Sequence, residues 1–344
     1  MSEGVARVGW GGALPRVTSK DVAREAGVSQ TTVSFVLNGR DEHGLAEETR
    51  RRVLETAERL GYVPSGAGRA LRKGRSNVVL CVVPDLPVAE AMEQFKLALG
   101  RSLGEAGYTC VYLHHAGTTT PLAELWQHVQ PAVVVAFGSL PLADAQSLRR
   151  AEIPLLQGVF APDATSLTGL SQEAVGRMQI EHLAARGHRH IGYAALDDPR
   201  ERPFSLPRLQ GATRACGDLG LPSPQVVTMR YSRASARTAV AEWTQGATQV
   251  TAVAAFNDLI ALAVLASCRT QHIAVPDDLA LIGVDDLPVS SLAVPALTTI
   301  GMDLTVAAGN LTARILSMVG ATAQAAPDEP GAGDILAVVQ RETT

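Results

Sequence analysis

The sequence predicts a small all-α head followed by an α/β body, and three observations support this fold class. Residues 18–39 contain two short helical patterns separated by a glycine. From Asn77 onward, short apolar runs alternate with helical stretches, which is typical of parallel sheets covered by helices. Residues 1–76 contain 13 Lys and Arg against 9 Asp and Glu, whereas the rest contains 17 against 25. A basic head on an acidic body favours contact between the head and a polyanion. Two domains with unrelated surfaces are the alternative.

The length and composition suit a folded protein outside the membrane. The 344 residues are 46% hydrophobic, which is enough for one small and one large domain. No apolar run is long enough to span a membrane, and the glycine-rich residues 1–16 lack the core of a signal peptide. We therefore expect a disordered leader at residues 1–16, a cytoplasmic location and no membrane partner.

The motifs predict neither an enzyme nor a cofactor. There is no nucleophile elbow, phosphate loop or carboxylate pair placed by a motif. The four cysteines are far apart in the sequence and form no CxxC pair, so we interpret them as small buried side chains. Zinc binding or a disulfide is the alternative. The cysteines are Cys81, Cys110, Cys216 and Cys268.

The first helix of the head is predicted to begin after Thr18. The Thr18 hydroxyl can cap the helix, and Asp21 can reach back to the cap amide. A narrow stripe of small apolar residues follows, and Gly27 is predicted to end the helix because glycine adopts a positive φ at little cost. The stripe consists of Val22, Ala23 and Ala26.

The second helix is predicted to begin after Ser29, which can cap it, and to end at Asn38-Gly39. Val33 and Leu37 are predicted to face inward. Two short helices joined by a tight turn form a helix-turn-helix, whose second helix can read bases in the major groove. An ordinary helical hairpin is the alternative. The outward side chains, which suit adenine and thymine methyl groups, are Gln30, Thr31, Ser34 and Phe35.

This stretch resembles the DNA-binding head of the lactose repressor and galactose repressor family. The resemblance is carried by Asp21-Val-Ala-x-x-Ala-Gly-Val-Ser-x-x-Thr-Val-Ser-x-Val-Leu-Asn-Gly39, by Thr49-Arg and by Gly61-Tyr-x-Pro64. It implies that Gln30, Thr31 and Phe35 occupy the main base-reading positions. Phe35 stands where members of the family often have an arginine. Ala46 stands where they usually have a hydroxyl residue that caps the third helix.

The third helix and the hinge are predicted from residue 47 onward. Val53, Leu54, Ala57 and Leu60 are expected to close the core of the head at residues 17–62. Three arginines at 50–52 can meet phosphates or pair with nearby glutamates. The resemblance implies a hinge at 63–76 whose helix forms in the minor groove.

The resemblance also implies roles in the hinge. Leu71 would be the wedge inserted between bases, and Arg72 would lie along the groove floor. The complete predicted DNA-binding set is Thr18, Ser29, Gln30, Thr31, Ser34, Phe35, Asn38, Arg50, Arg69, Leu71 and Arg72.

The body at residues 77–344 is predicted to contain two doubly wound parallel-sheet lobes. The strands are expected at 78–83, 110–113, 132–137, 155–159, 191–195, 253–255, 279–284 and 335–339, and the helices at 89–106, 122–129, 143–151, 172–186, 207–219, 234–245 and 304–319. The last third resembles the family's effector-binding core, which is of the periplasmic-binding-protein type. The first lobe is expected at about 77–170 plus 302–320, and the second at about 171–301.

A ligand should bind between the lobes, outside the carboxyl ends of the strands. The resemblance implies contacts from Arg208, Asn257 and Asp285, with Tyr231 placed to stack on a ring. Such groups suit a carbohydrate or polyhydroxy effector. Helix capping is the alternative for Asn257 and Asp285.

Three segments depart from the family pattern and predict an atypical wall in the first lobe: Pro84-Asp-Leu-Pro87, Gln157-Gly-Val-Phe160 and Ser171-Gln-Glu-Ala-Val-Gly176. The segment Arg186-Gly-His188 resembles the family's helix-to-strand turn. We favour this interpretation over metal binding by His182, His188 and His190.

These features predict a homodimeric transcription regulator, interpreted as a repressor, that binds double-stranded operator DNA. A small molecule between the lobes would control its operator affinity. The alternative is an α/β solute-binding protein with an incidental head.

Overall fold

The chain forms two compact units, Met1–Ser76 and Asn77–Thr344, each with a core of its own. A computed structural model describes residues 17–37, 45–62, 76–86, 90–115, 122–160, 166–246, 249–320 and 335–344. The predicted leader at 1–16 and nearly all of the predicted hinge lie outside these residues.

The described part of the head contains three helices: Ser19–Ala26 (α1), Gln30–Leu37 (α2) and Glu47–Arg59 (α3). Their core consists of Val22, Ala23, Ala26, Val33, Val36, Val53 and Ala57. One predicted core position is wrong, because Leu54 is 45% exposed. Leu37 is half-buried and packs against this core, and the neighbouring Val36 is buried. The inward face of each helix is narrow, so a neighbouring position turns toward solvent.

The ends of the head helices confirm the local signals. The Asp21 carboxylate accepts hydrogen bonds from Thr18 N and Oγ1, at 3.0 and 2.7 Å, and these bonds lower the pKa of Asp21. Ser29 Oγ accepts a hydrogen bond from Thr32 N at 3.0 Å. Gly27 has a φ of 63°, as expected for a helix stop.

The first sheet of the body is entirely parallel, with strand order β2-β1-β3-β4. Its strands are Val78–Pro84 (β1), Thr109–His115 (β2), Val133–Ala136 (β3) and Leu155–Leu156 (β4). The intervening helices are Glu90–Glu105 (α4), Leu122–Val129 (α5) and Leu142–Arg150 (α6). The strand predicted at 155–159 is too long, because Gly158 adopts a φ of 78° and turns the chain out of the sheet.

The second sheet has the order β10-β9-β8-β7-β5-β6. Its strands are Ile191–Leu196 (β5), Gln225–Met229 (β6), Ala252–Ala255 (β7), Ala280–Val284 (β8), Thr298–Met302 (β9) and Leu336–Val339 (β10). All neighbouring strands are parallel except β10, which runs antiparallel to β9. The sequence did not predict β6, an edge strand that alternates exposed and buried residues, or β9.

The helices of the second half are Gln172–Ala185 (α7), Arg202–Asp218 (α8), Arg233–Gln245 (α9), Asp258–Thr270 (α10), Pro288–Leu292 (α11) and Leu304–Met318 (α12). Helix α8 begins before the predicted residue 207. Pro203 stands in its first turn, where a proline is well accommodated, and Pro207 lies within the helix. Helix α12 follows the second sheet but packs on α4 of the first lobe.

Two glycines allow α7 and α8 to pack closely. A Cβ built on Gly176 would overlap the backbone carbonyl of Arg208, and one built on Gly211 would overlap that of Glu173. The two backbones therefore approach each other more closely than any larger residue would permit. This contact places the first turn of α7 beside Arg208.

None of the described helices combines the length and the hydrophobicity that crossing a membrane requires.

Candidate functional sites

The exposed end of α2 contains the predicted base-reading side chains. Gln30 and Thr31 are exposed in the first turn, and Ser34 and Phe35 are half-buried in the next. The Gln30 Nε2 atom donates a hydrogen bond to Ser19 Oγ at 2.8 Å. The Gln30 amide offers a donor and an acceptor, which together match the edge of adenine in the major groove.

The arginines of α3 form ion pairs on the surface of the head. Arg51 Nε lies 3.7 Å from Glu55 Oε1, and Arg59 Nη1 lies 3.2 Å from Glu25 Oε1 of α1. For Arg51, the structure therefore supports the ion-pair alternative. Exposed pairs of this kind contribute little to stability, so a phosphate can replace the glutamate at small cost.

The structure tests none of the DNA contacts in the predicted set, so all of them stay predictions. Thr18 and Ser29 lie at helix starts. The residues of the set that lie outside the described part are Asn38, Arg69, Leu71 and Arg72.

The body contains a cleft, open to solvent, between the carboxyl ends of the two sheets. Arg208 is 5% exposed and lies at its centre. Its Nε donates to Gln172 Oε1 at 2.7 Å, and its Nη1 donates to the Phe256 carbonyl at 2.7 Å. These bonds fix the guanidinium in one orientation and leave Nη2 directed at Asp285.

Asp285 faces Arg208 at the end of β8. Its Oδ1 lies 3.8 Å from Arg208 Nη2, which is an ion-pair separation rather than a hydrogen bond. Burial raises the pKa of Asp285 to about 7, although Arg208 opposes this shift. Its φ of 107° is strained for a residue with a side chain. The alternative that Asp285 caps a helix is wrong, because the N-cap of α11 is Leu287.

Glu201 supplies a second carboxylate to the cleft. It is 8% exposed, and among the described residues its side chain accepts no hydrogen bond. Burial raises its pKa, while the positive charge of Arg208 acts in the opposite direction. The cleft therefore contains two carboxyl groups and one guanidinium.

Asn257 serves both as a cap and as part of the cleft wall. Its Oδ1 accepts a hydrogen bond from Ile260 N at 3.0 Å, which confirms the capping alternative for this residue. Its Nδ2 donates to Tyr231 Oη at 2.9 Å. Tyr231 is 48% exposed and is not among the residues that line the cleft, so it is connected to the site only through Asn257.

The side of the cleft formed by the first lobe is apolar. Phe160, which follows β4, packs edge-on against Phe95 at 5.2 Å between ring centroids. It also packs against Phe204 of α8 at 5.6 Å, so a ring contact connects the two lobes. The other apolar lining residues from this side and its borders are Leu86, Ala91, Met92, Leu170, Met302 and Leu304. Two of the three segments that depart from the family pattern thus line the cleft with the hydrophobic side chains Leu86 and Phe160, and the third contributes the polar Gln172.

Among the lining residues that sequence reasoning did not assign to the cleft are Gln172, Glu201 and Phe204. Gln172 lies within a segment noted for departing from the family pattern, and this departure was a usable signal. Glu201 and Phe204 lie in the 3-10 helix Pro199–Glu201 and the first turn of α8, both of which precede the predicted helix start. Because the helix was predicted to begin only at residue 207, nothing in the sequence indicated that these two residues border the cleft.

The cysteines and histidines play smaller structural roles. Cys81, Cys216 and Cys268 are buried, as predicted, whereas Cys110 is only half-buried. Cys81 and Cys110 lie on neighbouring strands with their Sγ atoms 3.5 Å apart, and both are free thiols. The two side chains meet because of the register in which the parallel strands β1 and β2 pair. His182 and His188 pair with Thr344 and Thr251 at 2.9 and 3.0 Å. Among the described residues, no group of three or more potential ligands could hold a metal ion.

The raised pKa of Asp285 predicts an effect of pH on stability. The folded protein holds this proton more tightly than an unfolded carboxyl does, so the contribution of Asp285 to the free energy of unfolding falls as pH rises from about 4 to about 7. Asp285→Asn removes this contribution. Above pH 7, we expect the variant to gain on the order of 2–4 kcal/mol over the wild type, relative to the difference at pH 4.

Urea denaturation of both proteins at several pH values measures this difference. A constant difference between wild type and Asp285→Asn across the range would contradict the assigned ionisation.

The fold and the sites together define a DNA-binding regulator whose helix-turn-helix head is joined to a ligand-binding body. Comparison with family models agrees. The model of bacterial regulatory proteins of the lacI family matches residues 18–65, and the periplasmic binding protein-like domain matches residues 180–344.

Curated relatives extend this likeness over most of the chain. The HTH-type transcriptional regulator CelR of Thermobifida fusca is 30% identical over 304 residues, which are 83% of this chain and 86% of that protein. The HTH-type transcriptional repressor PurR of Aliivibrio salmonicida is 28% identical, covering 82% and 86%. The chain therefore belongs to the lacI family of bacterial regulatory proteins.

Solved structures confirm the predicted fold class. A lac repressor dimer bound to operator and an anti-inducer has a TM-score of 0.74 and 24% identity, covering 95% of this chain and 99% of that one. A complex of the transcriptional regulator CelR with cellobiose has a TM-score of 0.61 and 24% identity, covering 96% and 100%.

Proposed function

We propose that the protein is a cytoplasmic homodimeric repressor, and not an enzyme, that binds a two-fold symmetric operator and responds to a small molecule in the cleft. The observation that carries the DNA-binding part is the placement of Gln30 and Thr31. Both are exposed at the start of α2, while Val33 and Val36 anchor the opposite face in the core of the head. This arrangement presents polar side chains at the helix end that enters the groove.

Selection from random duplex DNA tests this function. We expect an enriched site with two related half-sites in inverted orientation, and an affinity that decreases steeply with salt because phosphate contacts release counterions. A weak affinity without sequence preference would instead favour a solute-binding protein with an incidental head.

Gln30→Ala is expected to relax base preference at one position in each half-site. The amide is lost as a bidentate partner, so discrimination there should decrease by about 1–3 kcal/mol while salt dependence stays unchanged. Competition binding with operators mutated one base pair at a time measures the effect. Lys20→Ala, in the neighbouring helix, is the control. A uniform loss of affinity for all operators would assign Gln30 to backbone contact instead.

The effector site is proposed to be the cleft around Arg208 and Asp285. Carboxylate oxygens accept hydrogen bonds from hydroxyl groups, and Arg208 has N–H donors left for a ligand oxygen. These groups suit a polyhydroxy compound, and the complex of CelR with cellobiose shows such a ligand in a similar protein. A ligand in contact with both lobes would change their separation and thereby operator affinity.

The dimer is proposed to involve an apolar surface on the second lobe. Leu292 and Val294 are 77% and 80% exposed, and Leu259 and Val289 are also exposed. Hydrogen bonds from Leu287 N and Ser290 Oγ to Asp258 hold α11 against the start of α10, so these side chains belong to one surface. We name Leu259, Val289, Leu292 and Val294 the α10–α11 surface.

Two observations support a second copy as the occupant of the α10–α11 surface. Large exposed hydrophobic side chains at one place are typical of protein interfaces. The lac repressor, which shares the fold, binds its operator as a dimer.

A further inference from the structure

Two thiols meet where β1 and β2 pair. The Sγ atoms of Cys81 and Cys110 lie 3.5 Å apart, within the distance of a thiol hydrogen bond. Cys81 is aligned with Tyr112, two residues beyond Cys110, so the two cysteines lie diagonally across the strands with their side chains on one face of the sheet. Among the described residues, neither Cys216 nor Cys268 has a thiol neighbour. The pair is therefore a distinct chemical group rather than two separate small core residues.

The two thiols differ in exposure and in acidity. Cys81 is fully buried, whereas Cys110 is half-buried on β2 and partly open to solvent. The hydrogen bond from Cys81 stabilises a thiolate at Cys110 and lowers the pKa of Cys110. The same contact, together with burial, raises the pKa of Cys81. Because the thiolate is the nucleophile in thiol chemistry, Cys110 reacts first and Cys81 is the neighbour that can resolve the product.

Strand β2 can move relative to β1. A disulfide holds its two sulfur atoms about 2.0 Å apart. The Sγ atoms must therefore approach from 3.5 Å, and their diagonal placement requires β2 to shift along β1. Among the described strands, β2 lies at an edge of the first sheet and pairs with β1 alone. An edge strand has fewer ladder hydrogen bonds to break than a central strand, so the shift costs less here.

A shift of β2 reaches the cleft through α4. Tyr112 of β2 donates a hydrogen bond from its Oη to the Lys96 carbonyl of α4 at 2.6 Å. Helix α4 packs on β2, and its residues Ala91, Met92 and Phe95 line the cleft. Movement of β2 therefore changes the position of a helix that forms part of the cleft wall.

We infer that Cys81 and Cys110 form a dithiol that hydroperoxides oxidise to a reversible disulfide, and that this oxidation shifts β2 and α4. The Cys110 thiolate attacks one oxygen of the hydroperoxide and breaks the O–O bond, which gives a sulfenic acid. The other oxygen takes a proton from solvent and leaves as an alcohol or, from hydrogen peroxide, as water. The Cys81 sulfur then attacks the sulfenic sulfur, and the departing hydroxide takes the Cys81 proton to form a second small product, water.

Two electrons thus pass from the thiols to the peroxide. A thiol reductant reverses the reaction by exchange with the disulfide. The inference concerns the body alone and does not depend on the proposed function.

Peroxide treatment of the full-length protein tests the chemistry. Hydrogen peroxide should remove two of the four thiols and lower the mass of the chain by two hydrogen atoms, and dithiothreitol should restore both thiols. Trypsin cleaves after Lys96 and Arg101, between the two cysteines. The disulfide should therefore join the peptides 76–96 and 102–149 in a digest made without reductant.

Three single variants assign the two roles. Cys81→Ser should leave Cys110 as a sulfenic acid that dimedone labels, with no disulfide. Cys110→Ser should slow the oxidation of Cys81 by about tenfold or more, because this thiol is fully buried. Cys268→Ser is the matched control, since it removes a buried thiol outside the pair and should form the disulfide as the wild type does. Thermal unfolding of each reduced variant shows whether it is folded before it is oxidised.

Hydrogen–deuterium exchange of the reduced and the oxidised wild type tests the movement. We expect the amides of β2 and of the first half of α4 to exchange about tenfold or more faster in the oxidised protein, because a shifted strand loses ladder hydrogen bonds. Strand β8 of the second lobe is the internal reference, and its exchange should not change.

Three results would overturn the inference. In the first, no thiol is lost, or all four are lost at similar rates, as expected for separate core cysteines. In the second, the only disulfide joins Cys110 of two copies and appears as a covalent dimer on a non-reducing gel. In the third, the intramolecular disulfide forms without a change in amide exchange, so oxidation does not move β2 and α4.

Discussion

Gly211→Ala is expected to lower the free energy of unfolding of the body by about 3 kcal/mol or more. A Cβ at this position would overlap the backbone carbonyl of Glu173 in α7. A backbone atom cannot change rotamer, so the two helices must separate along their contact. Gly176→Ala, on the other side of the same crossing, should produce a similar loss, because its Cβ would overlap the carbonyl of Arg208.

Separation of α7 from α8 in Gly211→Ala should also disturb the cleft. Helix α7 contributes Gln172 and α8 contributes Arg208, whose side chains are joined by a 2.7 Å hydrogen bond. A shift of either helix lengthens this bond and releases the guanidinium from its orientation. We therefore expect effector binding to be lost in any Gly211→Ala protein that still folds.

Gly217→Ala is the matched control in the same helix. A Cβ at Gly217 would meet no atom within 4 Å. Alanine favours a helix over glycine by up to about 1 kcal/mol, so this variant should be unchanged or slightly more stable. Urea denaturation of the wild type, Gly211→Ala and Gly217→Ala compares their free energies of unfolding. Equal stabilities for Gly211→Ala and Gly217→Ala would show that the close helix crossing is not required.

Charging the α10–α11 surface is expected to convert the proposed dimer to a monomer and to reduce operator affinity by about 100-fold or more. In the double variant Leu292→Asp and Val294→Asp, two carboxylates would replace the most exposed hydrophobic side chains of the surface. Burying unpaired charges against a second copy is strongly unfavourable. A monomer binds only one half-site, so the gain from simultaneous contact with two half-sites disappears.

Leu142→Asp is the control for this experiment. Leu142 is 74% exposed at the start of α6, in the first lobe, so its substitution adds one charge at a similarly exposed position. Sedimentation equilibrium gives the oligomeric state, and fluorescence anisotropy gives operator affinity. A charged double variant that stays dimeric would place the interface elsewhere on the chain.

The family and the fold class were both predicted from the sequence, and both are confirmed. The helix ends in the head depend on residues close in the chain, such as Asp21 with Thr18 and Ser29 with Thr32. Most strands of the body were also found, because a buried strand requires a continuous apolar run whatever its neighbours are. Strand β6 was not predicted, because it lies at an edge of its sheet and has no continuous apolar run.

The cleft was predicted only in part. Arg208, Asn257 and Asp285 follow from resemblance, and all three line the cleft. The position of Tyr231 behind Asn257 did not follow, because it depends on how the loop after β6 packs. The cap formed by Asn257 was an open alternative, and it coexists with the contribution of this residue to the cleft wall.

The sequence by itself determined the helix-turn-helix pattern, the alternation of strands and helices, and the polar residues at strand ends, because these features arise from interactions within a few residues. Only the tertiary structure decided that Glu201 joins Asp285 beside one guanidinium, that Phe160 meets Phe204 across the lobes, and that Cys81 lies against Cys110. Such contacts join residues far apart in the chain, and their burial and charge depend on packing that no local pattern encodes.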